Sequence, residues 1–330
     1  MQTVLNVIGI DDQNNVKIVN NTGNIRNFTF EMNGNSNLTT NISSENIEMI
    51  TIVFGGLNQD IQLKIAPNVI LFNSICGADS SAKALKLLSD FVIQTKLPII
   101  NHPDDVVETT RDGVSKKLSS VDGLVVPKCI KVLPNSIKEV KEIIKKEHFP
   151  FPFIFRTTCD HGSENMIKID SLDDLVLLDF FALNGKNEFY MIEFIDYKST
   201  DGYYRKLRYW VVGNKVIPRH LVVSSSWNVS YEIKKEMMYE NKELQSEEKF
   251  FLNNIDENIE KKCLAIKKAL NLDYFGIDCN IDEKGNMLIF EATPCMALTN
   301  DSNFEYLNKT VVTTKEAVEE LIEQYTKVKD

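Results

Sequence analysis

The sequence predicts a mixed α/β (α+β) fold, in which an open sheet with a covering helix precedes a larger part built from β-hairpins. Two continuous apolar runs, at residues 50–54 and 69–73, are typical of strands buried on both faces. Between residues 79 and 97 the apolar residues recur at helical spacing. Later apolar runs are joined by polar turns that contain glycine, which favours hairpins.

The strand, helix and strand at the start of the chain predict an N-terminal α/β domain over residues 1–104. No dinucleotide-binding G-x-G-x-x-G and no Walker A motif occurs in the sequence. Gly55 and Gly56 are therefore interpreted as a tight turn after a strand.

Composition restricts the class of partner. The chain has 330 residues, of which 43% are hydrophobic and 25% charged, and its net charge is -10. Such a charge repels a phosphate backbone, so nucleic acid is not expected as a partner. No apolar run approaches the roughly 18 residues of a membrane span, and the N-terminus does not resemble a signal peptide. The six scattered cysteines fit no zinc site and predict reduced thiols in a cytoplasmic protein.

A second unit is predicted over residues 105–190. It begins with a helix at 105–118 and contains a strand at 151–156 that ends in Arg156. The polar loop at 157–165 follows, and another strand returns, so we expect a flap that can close over phosphates. The strand at 188–195 is rich in Met and aromatic residues, which suits either a core or the wall of an adenine slot.

A third unit, residues 191–330, opens with a hairpin that turns at Gly213 and Asn214. Strand alternation places Lys206 and Arg208 on one face. Paired cations on a strand are typical of a site for anionic substrate groups, or of a face that is solvated. The Lys- and Glu-rich run at 233–248 predicts a solvated helix or loop.

The last hairpin carries two acids, Asp278 on its first strand and Glu291 on its second. Antiparallel pairing could bring them together on one face. Two close carboxylates in an apolar setting need a shared proton or a cation between them, and Mg²⁺ with nucleotide phosphates meets that need. The alternative is a surface hairpin whose acids face water.

Taken in order, these segments resemble the ATP-grasp superfamily. The resemblance covers about residues 70 to 300 and is carried by "x-E-F-I" at 192–195, "D-G-x-x-R-K-x-R" at 201–208, and the pair "G-I-D" and "F-E-A-T-P" in the last hairpin. Ribosomal-protein glutamate ligase and glutathione synthetase are relatives of this type. The resemblance implies an ATP-grasp fold with an N-terminal pre-ATP-grasp domain.

The resemblance also implies roles for particular residues. ATP would bind through the backbone of Met191, Ile192, Glu193 and Phe194. It would also contact the cations Arg111, Arg156, Lys206 and Arg208. Mg²⁺ would bind Asp278, Glu291 and Thr293. Arg156 and Arg208 would also act in catalysis, and His220 would orient the nucleophile or be structural. Thr293 stands where relatives commonly have Asn, and Arg111 and Arg156 stand where relatives commonly have lysine.

The expected activity is an ADP-forming ligase that joins a carboxylate to an amine or other nucleophile through an acyl phosphate. The expected partner is a small-molecule or peptide carboxylate substrate, and a homodimer is left open. Two alternatives stand beside this one. The first is a non-catalytic nucleotide- or peptide-binding module, and the second is a phosphotransferase that stops at the phosphorylated product.

Overall fold

The computed structural model describes residues 2–20, 28–40, 42, 46–56, 69–159 and 165–327. Three sheets of four or five strands organise this part of the chain. No helix in the described ranges is long and apolar enough to cross a membrane.

The N-terminal unit is a parallel four-stranded sheet in the order β4-β1-β5-β6. Its elements are β1 (Gln2–Gly9), the hairpin β2 (Lys17–Asn20) and β3 (Phe28–Glu31), β4 (Ile47–Phe54), β5 (Ile70–Asn73), α1 (Ala82–Thr95) and β6 (Ile99–Ile100). The helix buries Ala84, Leu85, Leu88 and Val92 against the sheet. The helix and both strands are thus confirmed, but only β5 is buried on both faces. The prediction of full burial was wrong for β4, which lies at the edge of the sheet and leaves Ile50 and Val53 exposed.

The predicted helix at 105–118 is two helices, α2 (Pro103–Val107) and α3 (Arg111–Leu118). The division falls at Thr110, whose side-chain oxygen accepts a hydrogen bond from the Gly113 amide and caps α3. This cap places Arg111 at the first position of the second helix. A short strand, β7 (Leu124–Val125), follows and runs parallel to a strand from the end of the chain.

We call the next unit the N-lobe. Its antiparallel sheet has the order β10-β9-β11-β8, and one face is covered by α4 and a 3₁₀ helix. The elements are β8 (Cys129–Val132), α4 (Ile137–Glu147), β9 (Phe153–Thr157), β10 (Met166–Ile169), the 3₁₀ helix Asp173–Phe180 and β11 (Phe189–Glu193). The centre of the predicted flap, residues 160–164, lies outside the described residues.

The C-lobe is a five-stranded sheet in the order β13-β12-β14-β15-β7. Its elements are β12 (Tyr204–Val212), β13 (Lys215–Ser224), α5 (Tyr231–Met238), α6 (Lys242–Asn253), α7 (Glu257–Leu270), β14 (Tyr274–Ile281), β15 (Met287–Thr293), the 3₁₀ helix Glu305–Leu307 and α8 (Asn308–Lys327). The N-lobe is thus inserted between β7 and β12, two strands of one C-lobe sheet.

Strand alternation gives the two faces of the C-lobe sheet different chemistry. Leu207, Tyr209 and Val211 of β12 join the apolar core that contains the buried residues of α6 and α7. On the other face, Trp210 and Val212 pack in a second core with buried residues of α8 and of the N-terminal sheet. The same face of β12 carries the polar side chains of Lys206 and Arg208, which lie beyond the residues that pack in this second core.

The prediction of a solvated segment at 233–248 holds for the exposed faces of α5 and α6, but it fails at the charged residues Lys234 and Glu248. Lys234 of α5 and Glu248 of α6 form an ion pair with an Nζ to Oε1 distance of 2.7 Å, and their side chains are 1% and 0% exposed. Glu248 also accepts hydrogen bonds from the Leu221 amide and the Tyr306 hydroxyl. Charged residues seldom lie so deep without a partner, and here each satisfies the other.

Candidate active site

Asp278 and Glu291 lie opposite each other in the ladder between β14 and β15. The pairing depends on a β-bulge, because Cys279 pairs with Ile289 and Phe290 is the extra residue. Asp278 is only 6% exposed, and the Glu291 side chain is 26% exposed. The expectation that the two acids converge is confirmed, and the alternative of acids that merely face bulk water does not hold.

Each carboxylate is paired with an arginine from a different element. Arg208, directly across from Asp278 on β12, donates from Nη2 to Oδ2 at 2.6 Å and from Nε to Oδ1. Lys206 Nζ lies 3.7 Å from the same Oδ2. Arg111, at the start of α3, places Nη2 3.0 Å from Glu291 Oε1 and also donates to the Phe290 carbonyl. The cations offset the cost of burying the acids.

These contacts set the ionisation of the pair. Burial acts to raise the pKa of Asp278, but the charges of Arg208 and Lys206 outweigh it and hold the pKa below its usual range. Burial opposes ionisation of Glu291 as well, and Arg111 overcomes it, so that the pKa of this carboxyl is also lowered. Both acids are therefore ionised at neutral pH.

The acids and cations line one cavity of about 180 Å³ between the two lobes, the interlobe cavity. Arg156, at the end of β9 and 5% exposed, reaches it from the N-lobe. Predicted residues on its wall are Arg111, Arg156, Ile192, Glu193, Phe194, Lys206, Arg208, Asp278 and Glu291. Residues from two of the predicted units, 105–190 and 191–330, thus meet at one place.

Apolar side chains form the rest of the wall. Ile154, Met166 and Leu288 come from strands, and Tyr197 and Trp227 come from loops. The Tyr197 hydroxyl donates to the Trp227 carbonyl at 2.7 Å and so joins the two loops. Sequence reasoning missed both aromatic residues, because neither lies in a segment with regular periodicity.

The segment that joins the lobes is fixed by hydrogen bonds at Glu193 and Phe194. The Lys128 amide donates to Glu193 Oε2 at 3.0 Å, and the Glu193 amide donates to the Lys128 carbonyl at 2.8 Å. The Phe194 amide donates to the Pro152 carbonyl. Met191 is fully buried in the N-lobe core and does not line the cavity.

His220 and Thr293 lie beside the cavity. Thr293 shares a small pocket with Asp278 and Glu291, and its hydroxyl accepts a hydrogen bond from the Cys295 amide. His220 pairs with Arg208 across β12 and β13 and lines a second cavity of about 480 Å³. Burial and the charge of Arg208 hold the pKa of His220 well below its usual value, so the imidazole is neutral at pH 7.

The donor set limits which metal could bind. Within the described ranges, no group of three or more His, Cys, Asp or Glu side chains is close enough to hold a metal ion. Mg²⁺ usually takes only one or two protein carboxylates and completes its shell with waters and substrate phosphates. Asp278 and Glu291 therefore fit a Mg²⁺ ion that arrives with a nucleotide, and not a metal held by protein alone.

A parallel α/β unit followed by two lobes that enclose a charged cavity is the arrangement of ATP-grasp proteins, and the chain has this fold. It is similar to VanG D-Ala:D-Ser ligase from Enterococcus faecalis, with a TM-score of 0.57 at 12% identity over 98% of this chain and 99% of that one. D-alanine–D-alanine ligase from Bacillus anthracis, complexed with ATP, gives 0.54 at 13% identity over 99% and 98%. D-alanyl-alanine synthetase A from Vibrio cholerae gives 0.56 at 10% identity over 98% of both chains.

No protein-family model matches the sequence, and no curated protein matches it. At these identities the structural likeness establishes the fold, and the predicted ATP-grasp architecture is confirmed. These identities do not establish an activity.

Proposed function

We propose that the protein is an ATP-dependent, ADP-forming ligase that joins a carboxylate to an amine or other nucleophile through an acyl phosphate. The observation that carries this proposal is the interlobe cavity, in which Arg111, Arg156, Lys206 and Arg208 surround two ionised carboxylates. With Glu193 also on the wall, four cations face three acids, which leaves one net positive charge for a polyphosphate. Ligases share the fold, and one of those named above was crystallised with ATP.

The cavity offers one region for each part of ATP. Ile154, Met166, Ile192 and Phe194 make an apolar slot for adenine next to the segment that joins the lobes. Arg156 and Lys206 would contact the phosphates, as would Arg111 and Arg208 when they exchange carboxylate for phosphate oxygens. Guanidinium groups bind both kinds of anion in the same bidentate geometry.

Asp278 and Glu291 would hold Mg²⁺, with the Thr293 hydroxyl beside them. When bound, the ion would supply Lewis-acid stabilisation of the negative charge on the phosphates during transfer. The arginines keep the two carboxylates ionised and in place before nucleotide binds, so the site is organised in advance.

In the proposed reaction, a substrate carboxylate oxygen attacks the γ-phosphorus, the bond to the bridging oxygen breaks, and ADP leaves. The nucleophile then attacks the acyl carbon, the bond from carbon to the phosphate oxygen breaks, and inorganic phosphate leaves with the proton that the nucleophile gives up. Arg208, which lines both cavities, would stabilise the negative charge that develops on the acyl group. His220 would orient the nucleophile. The substrate is a small-molecule or peptide carboxylate, and a cytoplasmic location and a homodimer remain predictions of the sequence.

Mass spectrometry of candidate acids and amines incubated with ATP and Mg²⁺ tests the proposal. Loss of water from the combined substrates, together with ADP, is the expected result. A gain of phosphate without ligation would indicate a phosphotransferase instead. ATP binding without ADP release across the panel would indicate a non-catalytic module.

Replacement of Arg156 by Met is expected to lower kcat about 10² to 10³-fold, because a preorganised cation is removed from the transferring phosphate. Arg156→Lys keeps the positive charge but cannot make a bidentate contact with phosphate. It should therefore retain more activity than Arg156→Met. Steady-state ADP release is measured for the wild type, Arg156→Met and Arg156→Lys. Equal rates for wild type and Arg156→Met would exclude a role for Arg156 in phosphate transfer.

A further inference from the structure

The second cavity lies on the other side of Arg208 from the interlobe cavity. Its wall includes Arg208, Trp210, Arg219, His220, Lys234 and Asp301. At about 480 Å³ it has room for a small molecule. Since Arg208 belongs to both walls, a molecule bound here would lie next to the proposed site of phosphate transfer.

A β-bulge directs two basic side chains to this cavity. Arg208 pairs with His220 and Tyr209 pairs with Pro218, so Arg219 is the extra residue between them. In a bulge, two residues of one strand oppose a single residue of the other. Here Arg219 and His220 together oppose Arg208, and both line the cavity. Regular alternation would have sent one of the two to the opposite face.

Arg219 is 6% exposed, and among the described residues its hydrogen-bond acceptors are all neutral. Its Nη1 donates to the Leu307 carbonyl and the Thr310 hydroxyl, and its Nη2 donates to the Thr299 carbonyl at 3.0 Å. The guanidinium carbon lies 4.9 Å from the centre of the Trp210 ring. In the part of the chain that the structure describes, no carboxylate lies within ion-pair distance of this guanidinium.

Two other cations of the cavity, the half-buried Arg208 and the buried Lys234, differ from Arg219 in this respect. Arg208 is paired with Asp278, and Lys234 is paired with Glu248. Asp301, on the cavity wall, is engaged by the Tyr231 hydroxyl and by the Asn303 and Phe304 amides. Burial lowers the pKa of Arg219, Asp301 offsets this only in part, and Arg208 adds repulsion. A buried charge with no contacting counter-charge is costly, and an anionic ligand would remove that cost.

We propose that the second cavity binds the nucleophile of the ligation reaction and that this nucleophile carries a carboxylate, which pairs with Arg219. The identification of the ligand as nucleophile rests on the proposed function, whereas the binding of a carboxylate does not. The carboxylate that pairs with Arg219 belongs to the nucleophile. It is not the substrate carboxylate that is phosphorylated. The other end of the molecule would face His220, whose imidazole makes no hydrogen bond within the described residues and is available to orient an amine.

The two tryptophans of the chain allow each cavity to be followed separately, because Trp227 lines the interlobe cavity and Trp210 lines the second cavity. In a Trp227→Phe background, Trp210 fluorescence is titrated with glycine, alanine and glutamate and with the matched amines methylamine and ethylamine. Acetate and inorganic phosphate serve as simple anions. In a Trp210→Phe background, Trp227 fluorescence reports ATP binding.

Saturable responses to the carboxylates, and much weaker responses to the matched amines, are expected. Arg219→Met should raise Kd about 30-fold or more, since truncating one partner of a buried charged pair removes most of its binding energy. Arg219→Lys should restore part of the affinity. Lys235→Met is the matched control, because it removes an exposed cation from the rim of the same cavity and should change Kd less than about 3-fold.

Three results would overturn the inference. They are equal responses to amino acids and matched amines, an unchanged Kd in a folded Arg219→Met variant, and a response to phosphate but to no carboxylate. If the carboxylates bind as expected while Trp227 fails to report ATP, the anion site stands and the ligase proposal fails. If ATP binds and no carboxylate does, the anion site is excluded, and the ligase proposal then depends on the measurement of ADP release alone.

Discussion

Glu291→Gln is expected to reduce turnover by at least about 10³-fold with little loss of stability. The amide keeps the size of the side chain and an oxygen that can accept from Arg111, whose Nη2 lies 3.0 Å from Glu291 Oε1. It removes the negative charge that the proposed Mg²⁺ ion requires. The measurement is steady-state ADP release with the substrate pair found by mass spectrometry, together with the midpoint of urea unfolding.

Glu283→Gln is the matched control, because Glu283 is an exposed acid in the turn of the same hairpin and lies outside the site. It should leave both measurements unchanged. Wild-type turnover in Glu291→Gln would remove the carboxylate pair from the mechanism, and with it the main support for a ligase.

Glu248→Ala is expected to lower the free energy of unfolding by about 3–5 kcal/mol. The substitution leaves Lys234 buried without its counter-charge and takes the acceptor from the Leu221 amide and the Tyr306 hydroxyl. Urea unfolding followed by circular dichroism measures the change. Glu257→Gln is the comparison, since Glu257 forms an ion pair with Lys261 of similar length, 2.6 Å, in which both side chains are largely exposed.

The exposed pair should contribute little, because solvent screens it. A second check combines Glu248→Leu with Lys234→Met, which replaces the buried pair by apolar side chains and should recover much of the lost stability. If Glu248→Ala unfolds at the same urea concentration as wild type, the buried pair does not stabilise the fold in the manner inferred here.

Much of the site could be predicted because it follows from local periodicity. Alternation along β12 placed Lys206 and Arg208 on one face, and the hairpin turn placed Asp278 near Glu291. The register itself could not be predicted. A regular count from the turn sets Phe290 opposite Asp278, and only the bulge brings Glu291 there. A bulge depends on packing around the strand, which no pattern within the hairpin records.

The sequence also does not predict which charged residues pair with one another. Arg111 and Glu291 are separated by 180 positions, and they meet because Thr110 caps a helix beside β15. Arg219 was not singled out, because regular alternation does not apply where its strand bulges. The run at 233–248 looked solvated for a related reason. Composition shows that a segment is charged, but it does not show which charge has a partner in the core.

The contact that Asp79 makes with the N-lobe bears on how the lobes open. Tyr190 of β11 donates its hydroxyl to Asp79, at 2.8 Å from either carboxylate oxygen, and Lys131 of β8 lies 2.7 Å from Oδ1. The chain passes between the C-lobe sheet and the N-lobe at two places, between β7 and β8 and between β11 and β12. Asp79 belongs to the loop before α1, so its contacts form a third connection, which joins the N-terminal unit to the N-lobe. Admission of a nucleotide by rotation of the N-lobe would have to release these bonds, which links the N-terminal sheet to access to the cavity.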